Sequence, residues 1–120
     1  QDIPGMLSLY SNDVIIFDMW GQGVYHGLKD WAAVITNWLS ALKEERVNVT
    51  FEMIAIEENE TIAFANAFIQ FEALSKDNTV LRSMKNRITL GFVKTAGYWK
   101  VKHQHTSAPI DANLNAILHL

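Results

Sequence analysis

The residues with the clearest chemical potential lie in two stretches, one near each end of the chain. Residues 99–107 alternate with a period of two, which is typical of a strand. One face of that strand carries Trp99, Val101, His103, His105 and Ser107. We expect this face to point inward, because the lysines on the other face favour water. An apolar wall that ends in two imidazoles and a hydroxyl suits a small-molecule pocket. The alternative is a solvated sheet end at which the histidines have no role.

The second stretch centres on Asp18, which follows the β-branched and aromatic residues 14–17. A carboxylate between Phe17 and Trp20 can have a raised pKa and accept a proton as a general base. The alternative is a carboxylate that caps the glycine-containing loop of residues 21–23. Asp18 and the two histidines could also supply three metal ligands, but their spacing does not support a metal geometry. We therefore expect neither a metal ion nor a cofactor.

The elements that must position these groups are predicted from periodicity. Asp2 can cap a short first helix, and residues 14–17 predict a short buried strand. A helical repeat of apolar residues covers residues 28–42 and places Trp31 on its apolar side. The period then changes to two and predicts strands over residues 47–57, 61–74, 80–92 and 98–107, with a turn at Gly97 before the last. Short connections indicate an antiparallel meander in an α+β domain.

Composition limits the function classes. The 120 residues fit one domain over residues 1–120, and 49% hydrophobic content is enough for a real core. The net charge of −3 and the absence of a basic run argue against nucleic acid as a partner. No cysteine is present, so disulfides and thiolate chemistry are excluded. No apolar run reaches membrane-spanning length, and we expect no membrane partner and a cytoplasmic location.

A family resemblance rests on three features: the run NDVIIFD, the loop that closes at Gly27 before a helix, and the pattern R-x-T…G-x-W-x-V-x-H-x-H-x-S. Over residues 2–109 the chain resembles the SnoaL-like and ketosteroid-isomerase-like members of the nuclear transport factor two superfamily. The last strand is also similar to the association domain of calcium/calmodulin-dependent kinase II. The resemblance implies a curved antiparallel sheet wrapped around helices as a cone with an open-ended pocket. It also implies a homodimer.

The resemblance carries over to single residues only in part. Asp18 matches the position of the general base of ketosteroid isomerases. The oxyanion-hole tyrosine would precede Gln1, and the position of the protonated acid falls near Thr89, which cannot act as a neutral acid. Steroid isomerisation is therefore not implied. His103 and His105 match the terminal histidines of SnoaL-like proteins, many of which have no known activity. With Asp18 they could serve dehydration or cyclisation.

Two function classes follow. The first is a binding protein for a small apolar or partly polar molecule, and the second is an acid/base enzyme that uses Asp18, His103 and His105. In both, we expect one cavity lined by Phe17, Trp20, Trp31, Trp99, Val101 and Ser107 beside the three titratable groups. We expect sheet-to-sheet pairing in a homodimer, with Tyr98 and Thr106 on the outer face. We also expect residues 110–119 to fold back as a helix or strap that buries Leu114, Ile117 and Leu118.

Overall fold

Residues 2–120 form two helices and one sheet of six strands, in an α+β arrangement. The computed structural model describes residues 2–120. The helices are α1, Ile3–Leu7, and α2, Leu28–Ser40. The strands are β1, Tyr10–Phe17; β2, Val24–His26; β3, Arg46–Glu58; β4, Ile62–Leu74; β5, Val80–Thr95; and β6, Tyr98–Ser107. The predicted elements are confirmed, while β2 is an additional strand and β1 begins four residues before the predicted strand.

The two helices begin with different caps. The Asp2 carboxylate accepts a hydrogen bond from the Gly5 N–H at 3.0 Å, as predicted for α1. Gly27 occupies the N-cap of α2 at φ 87°, a backbone conformation that glycine adopts without strain. α2 then buries Trp31 and Ile35 against β1. We call the sheet face that packs on α2 the inner face, and the opposite one the outer face.

The sheet has the strand order β2-β1-β6-β5-β4-β3. Strand β6 is the third of six, and β3, β4, β5 and β6 pair antiparallel in sequence order, which confirms the predicted meander. The pairing of β1 with β6 is parallel, so the sheet is mixed rather than purely antiparallel. This pairing brings Asp18, at the end of β1, beside the end of β6.

A β-bulge divides β6 into two halves. Gly91 of β5 pairs with His103 and the next residue, Phe92, pairs with Val101, so Lys102 is an extra residue on β6. An extra residue resets the alternation of side chains between the two faces. Val101 is buried on the inner face, and beyond the bulge Gln104 and Thr106 are buried there instead of the histidines. The predicted inward face is therefore wrong for His103, His105 and Ser107, and Thr106 is not on the outer face.

The core lies between the inner face and α2. Its buried apolar side chains are Tyr10, Val14, Ile16, Trp31, Ile35 and Val101. Farther along the sheet, small residues of β4, among them Ala63 and Ala65, are also buried on the inner face. Ile88 of β5 is buried there too, directly opposite Thr106. The inner face is thus apolar along most of its length, with a few buried polar side chains.

The outer face retains large apolar side chains in contact with solvent. Ile15 and Phe17 of β1 alternate with the fully buried Val14 and Ile16, and they are 38% and 42% exposed. On β4, Ile62 and Phe64 alternate with buried alanines and are more than half exposed. Tyr98 lies on this side as predicted.

The tail forms an ordered strap without a helix. Ile110 bridges to Ala116, and the last residues run parallel to β5, where the Lys85 N–H donates to the Leu118 carbonyl at 2.8 Å. Leu118 is half-buried, but Leu114 and Ile117 are exposed, so the predicted burial is wrong for these two. The helical spacing of apolar residues predicted a helix here, but a turn at residues 111–114 breaks the segment. Among residues 2–120, no helix has the length and hydropathy required to cross a bilayer.

Candidate functional site

Asp18 begins the loop that connects β1 to β2, and its side chain lies on the inner side of the sheet. Its backbone N–H donates to the Gly23 carbonyl at 2.9 Å, which closes the loop. The Thr106 hydroxyl donates to Asp18 Oδ1 at 3.0 Å and accepts from the Met19 N–H at 3.2 Å. The carboxylate is therefore held by β6. No hydrogen bond among residues 2–120 joins it to a backbone N–H of residues 21–23, so the predicted alternative of a loop cap is not formed.

Burial dominates the electrostatics of Asp18. Removal of the carboxyl from water raises its pKa, because desolvation disfavours the charged form. The hydrogen bond from Thr106 lowers the pKa and so opposes this shift, and the nearby Met19 N–H, which donates to the Thr106 hydroxyl, acts in the same direction. Within residues 2–120, no hydrogen bond reaches the second oxygen, Oδ2. Asp18 therefore presents a free acceptor whose proton affinity is higher than that of an ordinary aspartate.

A second polar pair, Tyr10 and Gln104, is buried in the core. The Tyr10 hydroxyl donates to Gln104 Oε1 at 2.6 Å. Burial raises the pKa of Tyr10, the neighbouring Trp31 indole N–H lowers it, and the negative charge of Asp18 raises it. Tyr10 therefore stays protonated at neutral pH and is a donor on the same side as Asp18.

A third polar group of the inner face, Asn86, has no partner. It is fully buried, and neither atom of its amide has a hydrogen-bond partner within residues 2–120. It lies two residues along β5 from Ile88, which is opposite Thr106. Buried polar groups in folded proteins are nearly always paired, with protein, water or a ligand. Asn86 is therefore a candidate ligand-binding group.

The histidines lie on the outer face, away from Asp18. The Phe17 ring contacts both imidazoles, with centroid distances of 4.8 Å to His103 and 5.4 Å to His105. His103 Nδ1 lies 2.8 Å from the Ile15 carbonyl oxygen, which only accepts, so Nδ1–H is the donor. The prediction that Asp18 and His103 share a cavity is wrong, because the Lys102 bulge places them on opposite faces.

The other predicted ligand-binding residues are dispersed. Trp31 and Val101 are buried in the core, whereas Trp20 is an exposed loop residue. Trp99 lies at the start of β6 beside Lys94, whose Nζ is 5.7 Å from its ring centroid. Phe17 is on the outer face, as is Ser107, which pairs with Arg87. The single predicted cavity is therefore not assembled.

The polar residues of the inner face could not be found from the sequence alone. Gln104 and Thr106 alternate with the histidines, so a regular strand places them outside, and only the bulge reverses this. The buried Tyr10 precedes the predicted start of β1. No three His, Asp or Glu side chains converge within the described part of the chain as metal ligands would.

Comparison with known proteins identifies the family and the fold. The sequence model described as "SnoaL-like domain" matches residues 1–111. No curated protein sequence matches the chain. An NTF2-like protein of unknown function from Pseudomonas putida superposes with a TM-score of 0.80 at 23% identity, over 99% of this chain and 82% of that one.

Two further solved structures have the same fold. A putative calcium/calmodulin-dependent protein kinase II association domain from Xanthomonas campestris gives a TM-score of 0.74 at 15% identity, over 89% of this chain and 74% of that one. ActVI-ORFA from Streptomyces coelicolor gives a TM-score of 0.76 at 13% identity, over 88% of this chain and 81% of that one. At these identities the likeness establishes the NTF2-like cone fold.

Proposed function

The chain belongs to the SnoaL-like domain family, and from that premise we propose that it binds a small, partly polar molecule on its inner sheet face beside Asp18. The observation that carries this proposal is the half-buried Asp18 carboxylate, held by Thr106 on the apolar side of the sheet. Charged groups are seldom removed from water unless they are paired with a cation or used. No salt bridge of Asp18 is present within residues 2–120.

The chemistry of the ligand follows from the polar groups. Asp18 Oδ2 is a free acceptor, which suits a hydroxyl or N–H of a ligand. The unpartnered amide of Asn86 can both donate to and accept from a second polar group. The neighbouring inner face of β5 is apolar, with Ile88 opposite Thr106 and Leu90 opposite Gln104. A ring-containing molecule with a hydroxyl fits this pattern better than an ion or a sugar.

The test uses 2-naphthol, an apolar ring system with one hydroxyl, in a titration followed by amide chemical shifts. Asp18→Asn removes the strong acceptor and is expected to weaken binding roughly tenfold, because a hydrogen bond to a charged group contributes about 1.5–3 kcal/mol. Asp13→Asn is the matched control, since Asp13 is an exposed carboxylate of β1, the strand that ends just before Asp18. Equal effects of the two substitutions would contradict the proposal.

A second candidate function, acid/base catalysis by Asp18, is favoured by one observation, the burial that raises its pKa. A raised pKa makes a carboxylate a better general base near neutral pH. In this form of the hypothesis His103 and His105 take no part within one protomer. Exchange of the α-protons of 2-tetralone with deuterated water, followed by proton spectra, would detect such a base. The exchange should be lost in Asp18→Asn and kept in Asp13→Asn.

We also propose that the protein is a homodimer in which the outer faces pack together. The support is the row of exposed apolar side chains on that face, including Phe17 and Phe64. Exposed apolar patches of this kind are typical of interaction surfaces. His103 and His105 lie on the same face and would be close to the partner subunit.

A further inference from the structure

An open cavity of about 240 Å³ lies on the outer face, across β3, β4 and β5. Its polar lining consists of Arg87, Thr89 and Asn66, and its apolar lining includes Met53 and Phe68. The strand register explains this grouping, because Asn66 is directly opposite Thr89 and Phe68 is opposite Arg87. Alternate residues of a strand share a face, so these four side chains project to the same side.

A bulge in β3 completes the cavity. Glu52 pairs with Phe68 and Ala55 pairs with Asn66, so Met53 and Ile54 together stand opposite the single residue Ala67. Met53 adopts φ 56°, which is uncommon for a residue with a side chain. The bulge turns the strand locally, and Met53 lines the cavity as a result.

Arg87 is the uncompensated cation of this cavity. Within residues 2–120 the ion pairs join Arg82 to Glu45, Lys85 to Glu52 and Lys102 to Asp13, and none includes Arg87. Glu52 is the acid aligned with Arg87 across the sheet, but it is bound to Lys85. The cavity therefore has one positive charge that no side chain of its own neutralises.

We infer that this cavity binds a small carboxylic acid as its anion, with the apolar part of the molecule against Met53 and Phe68. The planar guanidinium of arginine presents paired N–H donors that match a carboxylate in a bidentate geometry. The Thr89 hydroxyl and the Asn66 amide add donors at the same place. One uncompensated charge suits a monoanion better than a dianionic phosphate. The volume is below the roughly 300–1,000 Å³ of pockets for drug-sized ligands, which indicates a small acid.

This site is separate from the one proposed beside Asp18, since the two lie on opposite faces of the sheet. The proposed homodimer uses the same outer face, so Arg87 has a rival role, which is to bind a carboxylate of the partner subunit. The two roles predict different results for one substitution. Only the first makes the affinity for a free carboxylate depend on Arg87 at an unchanged association state.

The test is calorimetric titration of the protein with benzoate, benzamide and inorganic phosphate. Benzoate should bind more tightly than benzamide, which has the same ring without the charge, and more tightly than phosphate. Arg87→Gln should weaken benzoate roughly tenfold or more. The matched control is Arg82→Gln, an exposed arginine of the same strand that is already paired with Glu45, and it should leave the affinity for benzoate within about twofold.

Several outcomes would overturn the inference. These are equal affinities for benzoate and benzamide, equal effects of the two arginine substitutions, or tightest binding of phosphate. A change in sedimentation of Arg87→Gln at an unchanged benzoate affinity would assign Arg87 to the partner subunit instead. If Arg87→Gln does not fold, Thr89→Val and the benzoate–benzamide comparison on the unchanged chain still decide the matter.

Discussion

At the scale of single residues, Asp18 differs from Asp13 in the sign of its effect on stability. The pKa of Asp18 is raised in the folded state by burial, so its ionisation opposes folding. The stability it contributes is fully present below the unfolded pKa, about 3.9, and is lost as pH rises through the higher folded pKa. The unfolding temperature of Asp18→Asn, measured relative to that of the unchanged chain, should therefore rise as the pH is raised from 4 to 7.

Asp13→Asn is the control with the opposite sign. Its hydrogen bond with Lys102 lowers the pKa of Asp13, so the contribution of Asp13 is present above the unfolded pKa and is lost as pH falls. The two variants should diverge as pH rises when thermal unfolding is followed by circular dichroism. If the unfolding midpoints of the two variants change with pH in parallel, burial does not determine the pKa of Asp18.

Tyr10 supplies a second prediction at this scale. Tyr10→Phe leaves the buried Gln104 oxygen without its donor, and an unpaired buried polar group costs about 1–3 kcal/mol. The free energy of unfolding in urea should fall by that amount. Tyr98→Phe removes the same hydroxyl from a side chain that is 70% exposed, and it should change little. If Tyr98→Phe lowers the free energy of unfolding as much as Tyr10→Phe does, the hydrogen bond to Gln104 does not explain the effect.

At the scale of elements, the tail strap is the segment whose contribution is easiest to isolate. The Lys85 N–H donates to Leu118 and its carbonyl accepts from Leu120, so the strap occupies both backbone groups of one β5 residue. Deletion of residues 117–120 removes these two hydrogen bonds and a third, from the Ile117 N–H to the Pro109 carbonyl. The unfolding free energy should therefore fall by about 1.5–4.5 kcal/mol. Leu114→Ser, in the exposed turn, should leave it unchanged. A deletion without effect would mean that the strap does not stabilise β5.

The elements also show where sequence reasoning succeeded. The long alternating strands, the turn at Gly97 and the amphipathic repeat of α2 are local patterns, and they correctly predicted an α+β domain with an antiparallel meander. The cone shape was implied by the family resemblance. The Lys102 bulge leaves no such signal, because His103 and Gln104 fit either face of a strand. Its position depends on the register with β5 and on the parallel pairing with β1, and both are set by contacts distant in sequence. The sequence therefore identified Asp18 as a candidate site residue, but it did not identify Thr106 as its hydrogen-bond partner.

At the scale of the whole molecule, the proposed homodimer predicts association through the outer face. A stable interface buries roughly 800 Å² per partner, and the exposed apolar residues of β1 and β4 would contribute to that area. Phe64→Lys should convert the dimer to a monomer in sedimentation velocity at micromolar concentration. Leu114→Lys, an exposed apolar residue outside the strands, should not. A monomeric unchanged chain would refute the dimer directly.

The most direct measurement on the central claim is the set of intermolecular nuclear Overhauser effects from bound 2-naphthol. A ligand beside Asp18 lies on the inner face, so its ring protons should show contacts to the methyl groups of Thr106 and Leu90. Ile15 and Thr89 carry methyl groups on the outer face and serve as the internal control. Contacts to Thr106 and Leu90 that disappear in Asp18→Asn are the predicted result. Contacts to Ile15 and Thr89 alone would contradict the account.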